Sequence, residues 1–142
     1  MLRSPLLLSF SRSAAVPVAL SAIPQSPADA KAKRRLAIAQ APYSTLVAGI
    51  YSTKPGVLAT PYEMSDPRLD KEVPLAVVGV VPCKVSAENG AIKAGDLLVT
   101  SATRGYAMKG TDRGRLTGAV VGKALAPLAS GKGVIEVLVT LQ

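Results

Sequence analysis

The chain is 142 residues long, carries 17 Lys and Arg against 9 Asp and Glu, and has one cysteine, no tryptophan and no histidine. The missing histidine excludes the commonest general base, the usual zinc sites and every Ser-His or Cys-His pair, and a lone Cys83 excludes an internal disulfide or a multi-cysteine metal site. The net charge of +8 is concentrated in residues 1–40, with six basic groups against one acid; residues 41–142 hold eleven against eight, so the composition argues against a nucleic-acid partner.

The length suffices for one domain with a modest aliphatic core, plus extensions. Residues 1–22 place Arg3 and Arg12 around Leu6, Leu7 and Leu8, repeat serine, and contain no acid. Arg12 and Pro17 interrupt the apolar stretch, which rules out a membrane span. The segment fits an organelle targeting peptide, or a disordered tail left by an upstream start or a shortened parent, equally well. Residues 23–35 are Pro-rich and then basic, a solvated linker. Residues 1–35 are therefore expected to be a disordered or targeting-like extension, and residues 36–142 the folded domain.

Within the domain, residues 36–39 suit a short entering strand and residues 45–51 a second, turned by Pro55-Gly56. Residues 61–70 are polar, contain two prolines and suit an exposed loop; Glu63, Asp66, Asp70 and Glu72 crowd this region but lack the repeated spacing of a calcium loop. The centre of the chain is residues 73–110. Two β-branched-rich runs, residues 75–85 and 96–101, are separated by turn signals at Asn89-Gly90 and Gly95-Asp96, with a further breaker at Gly105. Asn and Gly tolerate positive φ where Val or Ile would resist it. Residues 111–117 form a charged connection around Arg113 and Arg115, residues 119–125 another strand, residues 127–133 a turn, and residues 134–141 the clearest strand of all.

Short strands, Gly- and Pro-rich turns and no long amphipathic helix predict an all-β, compact barrel-like or sandwich-like module. Gly49, Gly79 and Gly122 fall inside strand patterns, where glycine marks bulges or sharp bends as a small sheet curls on itself. The near-continuous apolar runs suggest two-sided burial or contacts between copies.

Three patterns invite chemistry. Ser101 with Lys109 or Lys123 can be written as a Ser-Lys dyad, since Gly95-Asp96-Leu97-Leu98 resembles a segment of self-cleaving repressors, but no Ser-Met pair precedes it and a lysine base must be desolvated. Ala107-Met108-Lys109 resembles the A-M-K-M hairpin of biotinyl domains. Gly110 replaces its second methionine and the turn spacing differs, so no cofactor is expected. Cys83 and Lys84 are strand neighbours, so one faces the core and the other solvent; a buried thiol is the simpler reading, and a lysine-activated nucleophile requires exposure.

Residues 42–57 (P-Y-S-T-L-V-A-G-I-Y-S-T-K-P-G-V), 73–85 (V-P-L-A-V-V-G-V-V-P-C-K-V), 90–101 (G-A-I-K-A-G-D-L-L-V-T-S), 105–109 (G-Y-A-M-K), 121–125 (V-G-K-A-L) and the terminal V-L-V-T-L-Q together resemble a widespread bacterial C-terminal domain. In that family the domain commonly closes long surface or fibre-like proteins built from repeats. More distantly, the V-x-G-x-V then G-D arrangement is similar to the C-terminal intramolecular chaperone domains of phage tail spikes. None of their catalytic residues matches a position here. The resemblance implies a non-catalytic, homo-oligomerising structural module at a cell surface or extracellular appendage. The alternatives are a self-processing Ser-Lys domain, or a small ligand- or nucleic-acid-binding module using Arg113 and Arg115.

Overall fold

The computed structural model describes residues 19–22, 36–51 and 75–140. The described residues are all-β, with nine strands among them: β1 (Ala19–Ala22), β2 (Leu36–Ile38), β3 (Val47–Tyr51), β4 (Leu75–Ala76), β5 (Val78–Ser86), β6 (Leu97–Thr100), β7 (Ala107–Lys109), β8 (Val120–Ala124) and β9 (Lys132–Thr140). A 3-10 turn, Arg113–Arg115, sits between β7 and β8, with the Asp112 carboxylate accepting the Gly114 amide.

Five strands close into a barrel in the order β5-β7-β6-β8-β9, and β2-β1-β3-β4 form a second, four-stranded sheet. The backbone of the barrel is the antiparallel β5–β9 ladder, in register from Val78↔Thr140 to Ser86↔Lys132. Closure comes from a short parallel pairing of β5 with β7, Val85↔Ala107 and Ser86↔Met108. The expected run at residues 75–85 is interrupted by a bend at Val77, so one stretch of chain serves both sheets.

Strict alternation along β5 and β9 decides what enters the core. Val81, Cys83 and Val85 from β5, and Ile135, Val137 and Val139 from β9, join Leu98, Ala107, Val121 and Ala124 inside, with Ile92 and, from outside the barrel strands, Ala39 and Ile50 packed in the same cluster. A smaller cluster of Val99, Met108 and Ala119 lies under Tyr43 and Leu116.

Curvature is obtained where the sequence has glycine within strands. The β6–β8 register shifts between Leu98 and Val99, opposite the stretch containing Gly122. A Cβ on Gly122 would run into the Leu138 carbonyl oxygen and lie 2.7 Å from Val137 Cγ1, so only glycine allows β8 to approach β9 this closely. The β1–β3 register likewise shifts beside Gly49. Gly79 follows the Val77 bend with φ 107°.

Two expectations need amending. Ala19–Ala22 was assigned to the extension, yet it pairs on one side with β2 (Leu20↔Ile38) and on the other with β3 (Leu20↔Gly49). Its backbone pairing on both sides makes it the shared neighbour of two short strands. Ala107–Lys109, likened in the sequence to the biotinyl hairpin and assigned to no strand, is the strand that closes the barrel. The loop at residues 61–70, its four carboxylates and most of the N-terminal extension lie outside the described residues.

Candidate functional site

Ser101 and Lys109 are placed apart. Ser101 is fully buried, and its hydroxyl lies 2.7 Å from the Tyr106 carbonyl oxygen and 3.1 Å from that of Thr103, while accepting the Thr103 amide at 3.2 Å. This occupies both its donor and an acceptor position within one turn. Lys109 stands opposite Leu98, three residues and about 10 Å of strand before Ser101. Its ammonium faces Asp96 at 3.5 Å instead. Asp96 holds its own turn, accepting the Lys93 amide at 2.8 Å. Gly90, Gly95 and Gly105 all adopt positive φ, and Asn89 links the first of these turns to the next loop.

That link belongs to a polar lock centred on Tyr43. The Tyr43 hydroxyl accepts the amides of Thr111 and Asp112, both at 2.9 Å. The Asn89 amide donates to the Lys109 carbonyl at 2.8 Å and to Thr111 Oγ1 at 3.1 Å. Arg115 lies over the Tyr43 ring, 4.5 Å from its centroid, and donates to the Pro42 carbonyl at 3.3 Å. Beneath, the buried Thr100 hydroxyl donates to the Ala41 carbonyl at 2.7 Å and accepts the Ser44 amide at 2.8 Å, holding Tyr43 at φ 52°. Partial burial by itself raises the phenol's pKa, but the hydrogen bonds from Thr111, Asp112 and Asn89 outweigh it and hold the group below its ordinary value. Arg115 is thus engaged in fastening a loop, while Arg113 is exposed on the 3-10 turn.

Cys83 points into the barrel, and burial pushes its thiol up to about 12. It is protonated at neutral pH and inert as a nucleophile. Its neighbour Lys84 turns outward, over the ring of Tyr106. Among the described residues there is no group of three His, Cys, Asp or Glu side chains that could hold a metal ion, and no helix is long and apolar enough to cross a membrane.

The two outer faces of the barrel differ. Over β6 and β7, Tyr43 and Leu116 cover Val99 and Met108. Along the outer face of β5 the apolar residues are bare: Val78 is 79% exposed and Val80 55%, and Pro82 follows; across on β9 the exposed Glu136 stands opposite Pro82, and Val134, 51% exposed, stands opposite Lys84. Val80 stands opposite the half-buried Leu138, extending the apolar row onto β9. Lys84 and Lys132 lie at the other end of this face, beside Tyr106. The apolar runs in the sequence signalled a surplus of hydrophobic residues. What the sequence left hidden is the polar lock and the Tyr106 cluster, because strand pairing across gaps of about twenty residues or more brings their members together. No family model, curated protein or solved structure matches the chain.

Proposed function

We propose that this protein is a non-catalytic structural domain that assembles with copies of itself through the outer face of β5 and β9, as a terminal module of a bacterial surface or phage tail-fibre-like protein. The observation that carries the reading is the row of Val78, Val80 and Pro82 exposed along β5 on a hydrogen-bonded ladder, with Leu138 opposite Val80. Valine has few rotamers to lose, and the β5–β9 backbone is already ordered, so covering this row costs little conformational entropy. Contiguous exposed apolar surface is uncommon on monomers and marks interaction sites. The surface-appendage setting is supported by the sequence resemblance, and no observation favours the self-cleaving alternative, since Ser101 is committed to its own turn.

Light scattering with mass determination on the full chain tests the proposal. A multiple of the chain mass is expected for the wild type, and the monomer mass for the double variant Val78→Asp, Val80→Asp, whose changes point to solvent and leave the core untouched. A wild-type protein that stays monomeric at high micromolar concentration would defeat the reading.

A further inference from the structure

We propose that Lys84, Tyr106 and Lys132 form a binding site for a phosphate group on the outer face of the barrel, distinct from the apolar row. The parallel β5–β7 pairing sets Tyr106, just ahead of Ala107, alongside Lys84, and the β5–β9 ladder sets Lys132 opposite Ser86. Both ammonium groups converge on one ring, Lys132 Nζ at 5.3 Å and Lys84 Nζ at 5.6 Å from the Tyr106 centroid. Cation–π attraction restrains each lysine, lowering the entropy a ligand would have to remove. It leaves the repulsion between two like charges held at the same ring unrelieved.

Among the described residues neither ammonium is ion-paired. Two acids lie near in the chain or ladder and do not pair: Glu136 is diagonal to Lys84 across the strands, and Glu88 is two residues beyond Ser86. Lys84 leans to the ring instead. The Tyr106 hydroxyl has no hydrogen-bond partner among the described residues, which leaves an O–H donor on the ring that both cations approach. Two point charges and a hydroxyl donor suit a tetrahedral dianion, whose several oxygens can take all three at once; lysine is a common phosphate ligand in this role. A monovalent ion such as chloride answers only part of that set.

The site also remains open under the assembly reading. Val78 is six residues from Lys84 along β5, about 20 Å of strand, so covering the Val78 and Val80 end leaves the basic end free. The phosphate could be free in solution or carried on a lipid headgroup, and the chemistry at the three side chains is the same.

The test uses the full chain labelled with nitrogen-15, titrated with inorganic phosphate and, separately, with sodium chloride at matched ionic strength. Saturable shifts centred on Lys84, Tyr106 and Lys132 are expected with phosphate and not with chloride. Lys84→Gln and Lys132→Gln should each weaken binding about tenfold, and the double variant should abolish it while its amide spectrum keeps the wild-type dispersion. Tyr106→Phe should weaken it less, since the cations remain. Sedimentation with phosphatidylcholine vesicles, with and without phosphatidic acid, separates the sources: pelleting that requires phosphatidic acid and both lysines assigns a lipid headgroup, whereas a phosphate response without pelleting assigns a soluble phosphate. No response to either probe, equal shifts with chloride, or a response that survives in the double variant overturns the site.

Discussion

Tyr43 is an exposed-side residue whose hydroxyl does what a side-chain cap does for a helix, taking two loop amides that would otherwise depend on water. Tyr43→Phe should cost about 1 kcal/mol in urea unfolding at neutral pH, because the amides lose their acceptor while the ring keeps Arg115. The pH dependence has a definite sign. The folded pKa lies below 10.0, so between that value and 10.0 the unfolded chain binds more protons, and the stabilisation rises with pH and is fully present above 10. The gap between wild type and Tyr43→Phe should therefore widen as pH climbs toward 10, and a gap that narrows would show the phenol is not held this way. Cys83 has the opposite sign. Its folded pKa, about 12, exceeds the ordinary 9.0, so its contribution is complete below 9 and is lost as pH rises from 9 to 12. Relative to Cys83→Ala, the wild type should lose stability over that window, and at neutral pH its thiol should react with a maleimide only when the protein is unfolded.

At the scale of elements, glycine placement was the most legible feature. Gly49, Gly79 and Gly122 stood out in the sequence because they interrupt β-branched runs, and each lies at a register shift or bend. β7 was not legible: three residues, Ala107–Lys109, carry too little periodicity to separate strand from turn, and their strand state depends on β5 and β6 on either side. β1 was hidden for the same reason, its four residues being strand only through partners at residues 36–38 and 47–50. Gly122→Ala should test the close approach of β8 and β9. The new methyl meets the Leu138 carbonyl, which is backbone in the longest ladder of the barrel and cannot swing aside. A loss of about 1–3 kcal/mol in denaturant unfolding is expected. Gly131→Ala, where a Cβ meets nothing and only the φ of 68° resists it, should cost about 1 kcal/mol. Equal losses at the two positions would mean that backbone conformation, and not the β8–β9 contact, sets the need for glycine.

For the whole molecule, the balance of charge and apolar surface decides how assembly should respond to conditions. Short strands, turn signals and glycines within strands were enough to foresee an all-β barrel-like or sandwich-like module, but not which outer face stays bare, because that depends on Tyr43 and Leu116 reaching across β6 and β7 from distant parts of the chain. Since the bare face is valine-rich, with its cations gathered at one end, association through it should follow apolar hydration and not ion pairing. The hydrophobic term weakens on cooling and is strengthened by excluded salts such as sulfate. The mass measured by light scattering should therefore rise between 5 and 25 °C, in the general range where apolar burial gains strength, and rise again with ammonium sulfate. Contacts built on Lys84 or Lys132 meeting a partner's carboxylates would behave in reverse, dissociating as salt screens them. An assembly that falls apart in high salt would move the interface from Val78 and Val80 to the basic end of the same face, and the valine-to-aspartate variant would then leave its mass unchanged.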